Sequence, residues 1–214
     1  MYPAMTLKDL GNVQGHIDDL RVVMILFIRP DNADGNHVIG QFNFMHYQSG
    51  NFCTIFAPGY AAHDISAEYS DTKEIKGPNN VTWYYSDKAF LDFVKELKAR
   101  LPSWRYQNES SIMLLQSQVG KGNPLNFSNY MCVEIAHGIR QGYLDSFDRF
   151  MSELMSAVEA EVTIDGVQKK LLTRMNIRDI VISAIDASKR IPIPVKKIMR
   201  EKLFIRTANQ KRKD

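Results

Sequence analysis

The longest apolar run in the chain, Val22 to Ile28, is seven residues, several of them β-branched, set between Arg21 and Arg29-Pro30. A run of that length, bounded by charge and proline, fits a strand covered on both faces. The next six residues, Asp31-Asn32-Ala33-Asp34-Gly35-Asn36, supply turn-forming and helix-capping side chains. Over Val38 to Tyr47 the pattern has two solutions. A helix places Val38, Phe42 and Met45 on one face and stops at Gly50, whereas a strand alternates and makes Ser49-Gly50 a hairpin turn. The cap-rich turn before it favours the helix. Phe52 to Phe56 is a strand on either reading, ended by Ala57-Pro58-Gly59.

Residues 60–80 read as a long loop that holds His63 and Asp64 and closes on the breaker Gly77-Pro78-Asn79-Asn80. Val81 to Tyr85 is a short aromatic strand. Ser86 caps a helix in which Phe90, Phe93, Val94, Leu97 and Leu101 share a face and Pro102 ends the run. Ile112 to Gln116 and Tyr130 to Ala136 are strands, with a glycine-containing turn over Gln118 to Pro124. The clearest helical stripe is Leu144, Phe147, Met151, Leu154 and Val158, widened by Phe150 and Met155. Asp145 and Asp148 suit the positive end of that helix. Thr163 to Val167 carries a turn signal, and helices are predicted over Ile177 to Ala187 and Val195 to Arg206, the second begun by Pro192 and Pro194.

With a helix at 38–47, residues 21–161 follow the order β-α-β-α-β-β-α, with a small extra strand before the second helix. That element order resembles thioredoxin-like domains. The expected fold is α/β of this kind with a C-terminal helical extension, and the alternative is a three-layer Rossmann-like sheet. The hairpin solution for 38–47 would instead give an α+β sheet. The division expected is an α/β domain over 1–162, a helical extension over 163–206 and a basic tail over 207–214. Redox activity in thioredoxin-like domains needs a cysteine at the start of the first helix, where the helix terminus lowers its pKa. The stretch Asp31 to Val38 has none, and Cys53 and Cys132 fall inside strands. Thiol–disulfide exchange is therefore not expected.

Composition narrows the class. Of 214 residues, 44% are hydrophobic and 10% aromatic, with only 12 Gly and 8 Pro, which excludes a disordered or collagen-like chain. The seven-residue apolar run falls far short of the roughly 20 residues that span a bilayer. Two cysteines build neither a disulfide framework nor a four-cysteine zinc site, so a reducing, cytoplasmic setting is the expectation. Charge is uneven. Residues 195–214 hold Lys196, Lys197, Arg200, Lys202, Arg206, Lys211, Arg212 and Lys213 against Glu201 and Asp214, which is 8 minus 2, or +6. With +3 for the whole chain, the remainder carries 3 minus 6, or −3. An acidic body with a basic end points to an anionic partner for that end.

Catalytic patterns are sparse. Gly35 as the sixth residue of a calcium loop would put Pro30 first and Gln41 twelfth, where a carboxylate is required. Pro30-Asp31 and Glu74-Ile75-Lys76 match the bare letters of a metal-dependent nuclease, in which carboxylates hold a divalent ion and lysine orients water. His46, Ser49 and Cys53 lack the elbow sequence and the third group of a nucleophilic triad. His63-Asp64 fits an exposed loop dipeptide, and the five histidines show no paired metal spacing. Gly120-Lys121-Gly122 lacks the rest of a phosphate loop and fits a hairpin connection. Trp83, Tyr84, Tyr85, Trp104 and Tyr106 fit the core better than a stacking surface.

The function expected is a non-catalytic binding or adaptor domain whose basic end contacts nucleic acid or an acidic protein, with no cofactor or metal. The alternative is a metal-dependent phosphodiesterase or nuclease at the carboxyl ends of the strands, near Arg29, Asp31, Tyr60, His63 and Glu74. A homo-oligomeric structural role would use the Phe/Met stripe of residues 144–158 as its interface.

Overall fold

The computed structural model describes residues 1–14, 21–32, 34–50, 52–118, 124–174 and 205–207. In chain order the elements are β1 (Tyr2–Ala4), α1 (Leu7–Gln14), β2 (Val22–Phe27), α2 (Gly35–Gly40), α3 (Phe42–Ser49), β3 (Cys53–Pro58), β4 (Tyr60–Ala61), β5 (Lys73–Lys76), β6 (Thr82–Tyr85), α4 (Asp87–Arg100), β7 (Ser111–Ser117), β8 (Leu125–Glu134), α5 (Ile135–Arg140), α6 (Phe147–Ala160), α7 (Ile164–Arg174) and β9 (Ile205–Thr207).

The main sheet is mixed, in the order β1-β3-β2-β7-β8-β9. β1, β3 and β2 run parallel, with Val22 opposite Cys53 and Ile25 opposite Phe56. β7 lies antiparallel on the other side of β2, from Val22 opposite Gln116 to Phe27 opposite Ser111, and β8 and β9 continue antiparallel. The apolar run that predicts β2 is buried along its whole length, as is β3, so helices cover both faces. α1 packs on α4, while α3, α6 and α7 form a second group. Phe27 of β2 meets Phe90 and Phe93 of α4 edge-on. The whole stripe from Leu144 to Val158 is core, so its apolar face is used within the chain and is not available as the oligomer interface the sequence suggested.

Several expectations hold and several change. Residues 38–47 are helical, divided between α2 and α3. Ser86 caps α4, its Oγ accepting the Ala89 N–H at 3.1 Å. The antiparallel pairing of β7 with β2 and of β8 with β7 departs from the parallel sheet of the Rossmann-like alternative. Residues 60–80 are not a structureless loop. They contain β4 and β5, which flank β6 in a small sheet of order β4-β6-β5. Asn79 (φ 57°, ψ 26°) and Asn80 (φ 59°) form a two-residue hairpin turn, closed by the Val81 N–H donating to the Pro78 carbonyl at 3.2 Å. Left-handed geometry at both positions is the type I′ turn, which asparagine tolerates. This hairpin tip docks on α3, where Asn43 Oδ1 accepts the Asn79 N–H at 2.6 Å and Tyr47 OH donates to Asn79 Oδ1 at 2.7 Å.

The turn signal at Thr163 is in fact a helix start, because Thr163 Oγ1 accepts the Gly166 N–H at 3.2 Å. The strand expected over 130–136 begins at Leu125 and gives way to α5 at Ile135. β1 and α1 were not foreseen. The helix expected over 177–187 lies outside the described residues, as does 195–204. Ile205 and Arg206, the end of that last predicted helix, are strand instead. α7 packs against α6, β7 and β8, and its Ile164, Val167 and Leu171 join the core.

Two tests follow from this packing. At Gly35 an added Cβ would lie 2.0 Å from the Arg29 carbonyl oxygen, so the turn from β2 into α2 requires glycine, whereas a Cβ on Gly40 meets nothing within 4 Å. Gly35→Ala should cost about 3 kcal/mol or more and Gly40→Ala less than about 0.5 kcal/mol by urea denaturation; equal costs would contradict the close approach. Asp71 braces the start of α4, accepting the Ser86 hydroxyl at 2.7 Å and the Lys88 N–H at 3.0 Å. Burial pushes its pKa up, but these bonds outweigh it and hold the carboxyl below its ordinary value. Its contribution is complete above the unfolded pKa near ~4 and is lost as pH falls through the depressed folded value. Asp71→Asn should therefore flatten the fall in thermal midpoint between about pH 4 and pH 2.

Candidate functional site

At the exit of β2 the chain must turn out of a fully buried strand while carrying a charge. Arg29 does so by gripping Asp87 with two nitrogens, Nε to Oδ1 at 2.7 Å and Nη2 to Oδ2 at 2.8 Å. Its remaining Nη1 donates to Asn108 Oδ1, and the guanidinium lies 6.0 Å from the Phe90 ring centroid. Partial burial works against the cation, but Asp87 more than compensates and raises the Arg29 pKa. Tyr85 OH donates to Asp87 Oδ1 at 3.0 Å, and burial followed by the nearby Asp87 charge drives its pKa far up. Tyr60 OH donates to the Ile28 carbonyl at 3.3 Å, and burial raises its pKa strongly.

Past Arg29 the backbone tightens in two steps. The Asn32 N–H donates to the Arg29 carbonyl at 3.1 Å and the Gly35 N–H to the Asn32 carbonyl at 2.9 Å. Asp31, at the rim, accepts Lys73 Nζ of β5 on both oxygens, at 2.8 and 2.6 Å. Tyr106 closes the site from the segment before β7, its ring 6.0 Å from Phe27 and 5.2 Å from Phe90. Burial pushes its hydroxyl up to about 12, against the opposing influence of Arg29 and Asn32. The Asn32 amide lies against that hydroxyl. Asp34 Oδ2 is shielded and unpartnered.

The structure thus brings Arg29, Asp31 and Tyr60 to one end of the sheet, as the strand-end argument expects, and adds Asn32, Asp34, Asp87, Tyr106 and Asn108. It does not assemble the nuclease pattern. Asp31 is engaged by Lys73, and Glu74, the next residue along β5, sits opposite Tyr84 and projects to the other face. Among the described residues no group of three His, Cys, Asp or Glu is placed to hold a metal ion. His63 is exposed, and Asp64 beside it accepts the Ser66 N–H at 2.8 Å, a contact that lowers its pKa. Ser49 Oγ donates to the backbone carbonyl of His46, not to its ring. The ring faces the Met1 amine through Nδ1 and Asn79 through Nε2, and partial burial with that amine lowers its pKa. Cys53 is buried and its thiol is pushed up to about 12 by desolvation.

Trp83, Tyr85 and Trp104 are core, as expected, while Tyr84 and Tyr106 are half-buried. An open groove of about 670 Å³ lies at the opposite end of the sheet, between α1, α4 and the start of β8. Gly120-Lys121-Gly122 lies outside the described residues, between the paired strands β7 and β8. Of the basic end, Arg206 belongs to β9; Lys196, Lys197, Arg200, Lys202, Lys211, Arg212 and Lys213 lie outside the described residues. No described helix is long and apolar enough to cross a membrane.

A double-mutant cycle measures the clamp. The Arg29 and Asp87 side chains are 20% and 33% exposed, so solvent screens the pair only in part. Arg29→Met and Asp87→Asn should each destabilise, with a coupling of about 1–2 kcal/mol. A coupling near zero would mean that the two charges act independently.

Comparison with protein-family models, with curated proteins and with solved structures returned no match for this chain.

Proposed function

We propose that this chain is a non-catalytic binding or adaptor domain whose basic C-terminal end contacts an anionic partner, nucleic acid or an acidic protein surface. The observation that supports this most is the pairing of β9 with β8. Val133, Cys132 and Met131 stand opposite Ile205, Arg206 and Thr207, which fixes the middle of the basic segment to the edge of the main sheet. Lys202 is three residues before Ile205 and Lys211 four after Thr207. The remainder of the chain carries the opposite net charge, which disfavours binding of an anionic partner to it.

The finer fold reading belongs with this proposal. Two parallel strands joined by a helical crossover, followed by an antiparallel pair on the far side of the first, support a thioredoxin-like arrangement. In such an arrangement the β2–α2 turn would be the working position. Here it holds Asp31, Asn32 and Asp34 in place of cysteine.

The test is binding of the full chain to a fluorescent DNA or RNA oligonucleotide and to polyglutamate across a salt series. Nucleic-acid binding should weaken steeply with salt. Removal of residues 208–214, which deletes Lys211, Arg212 and Lys213, should reduce the log–log slope by about 2–3 without lowering the thermal midpoint. Affinity unchanged by the truncation would reject the proposal.

A further inference from the structure

We propose that the groove between α1, α4 and the start of β8 binds an apolar carboxylate, its hydrocarbon body on Leu7, Leu125 and Phe127 and its charge met by Lys8 and Arg100. The groove measures about 670 Å³, within the roughly 300–1,000 Å³ usual for small-molecule sites. Leu125 is buried, while Leu7 and Phe127 are half-buried against the core. Two features keep the groove open. Gly11 lines it from the middle of α1, where glycine weakens a helix relative to alanine. Neither conformation nor crowding demands that glycine: its φ is not left-handed, and an added Cβ meets only Pro124 Cγ, at 3.9 Å. What the missing side chain leaves is space in the groove. The second feature is a bulge in β8. Tyr130 pairs with Leu115 and Asn126 with Gln116, so residues 127–129 have no partner on β7. Bulges re-aim side chains, and Phe127 lines the groove.

The charges around the groove select the ligand. Lys8 and Arg100 line it and are exposed. Among the described residues neither side chain has an ion-pair partner. Glu96 also lines the groove, and one of its oxygens is taken, Oε2 accepting the Leu7 N–H at 3.1 Å. The chain outside its basic end is net acidic, so two unpaired cations beside one engaged carboxylate are a local reversal. A cationic ligand would be repelled by Lys8 and Arg100. A purely polar anion would leave the apolar floor in water, and a neutral hydrocarbon would leave both cations without a counter-charge. Nucleic acid needs a run of cations, which two flanking a hydrocarbon floor do not make. A carboxylate carried on an apolar body satisfies both surfaces. Long cationic side chains lie along apolar surface with their heads free, which suits them to charge-assisted hydrogen bonds with a carboxylate at the rim.

The experiment is titration of the full chain with octanoate, octanol, octylammonium and acetate, followed by amide NMR shifts. Octanoate should saturate, with its shifts centred on residues 7–11, 96–100 and 125–127. It should bind about tenfold more tightly than octanol or octylammonium, and acetate should not saturate. Arg100→Gln should weaken octanoate about fivefold and leave octanol unchanged. Gly11→Ala should raise the thermal midpoint, because alanine favours the helix, yet weaken octanoate about threefold by narrowing the groove. A merely structural glycine would not move stability and binding in opposite directions. Gly11→Leu should block octanoate and octanol alike. The proposal fails if octanoate does not saturate, if its shifts centre elsewhere, or if octanol or octylammonium binds as tightly. It fails too if Arg100→Gln and Gly11→Ala both bind octanoate like the parent.

Discussion

Arg29 and Asp87 hold the exit of β2 together. A guanidinium at the mouth of a buried strand is costly unless its hydrogens are met, and a carboxylate at the start of α4 meets two of them. The same carboxylate accepts Tyr85 of β6, and the same guanidinium donates to Asn108 ahead of β7. Three stretches of the chain, at Arg29, at Tyr85 with Asp87, and at Asn108, are therefore joined through one ion pair. Asp87 also places negative charge at the first turn of α4, where the helix dipole favours it. The turn into α2, the Tyr106 ring and the small sheet all take their positions around this point.

How far the sequence foretold the fold depended on how much of each element is apolar. β2, α4 and α6 are legible because burial imposes a continuous or periodic pattern on them. β5 is not, since only Ile75 of its four residues is even partly buried. α1 hides behind a subtle cap, in which Asp9 Oδ2 accepts the Met5 and Thr6 N–H groups. Thr163 misleads for a physical reason, since the hydroxyl that starts a turn is the same one that starts a helix. The site follows the same logic. Arg29, Asp31 and Tyr60 were placed by the strand-end argument. Asp87 and Asn108 lie 58 and 79 residues from their partner, and no local pattern announces such a contact.

The small sheet gives the long connection between β3 and α4 a purpose in the architecture. It is anchored at one end by Lys73 on Asp31 and at its hairpin tip by Asn79 on α3. Between these anchors Tyr60, Trp83 and Tyr85 form an aromatic layer with Phe42. Gly59 admits the chain into this layer with φ +79°, where a Cβ would collide with the backbone of Phe90. The insertion thus seals the core beside the strand exits instead of forming a separate unit.

Pro3 has a consequence at the opposite edge of the main sheet. The Ala4 carbonyl faces inward, accepting the Gly59 N–H at 2.8 Å, so the neighbouring residue turns its backbone outward. That residue is a proline, with no N–H to offer an incoming strand. β1 is also only three residues long. Molecules of this protein are thereby discouraged from joining edge to edge into ribbons, and self-association through β1 would need side chains in place of a shared backbone ladder.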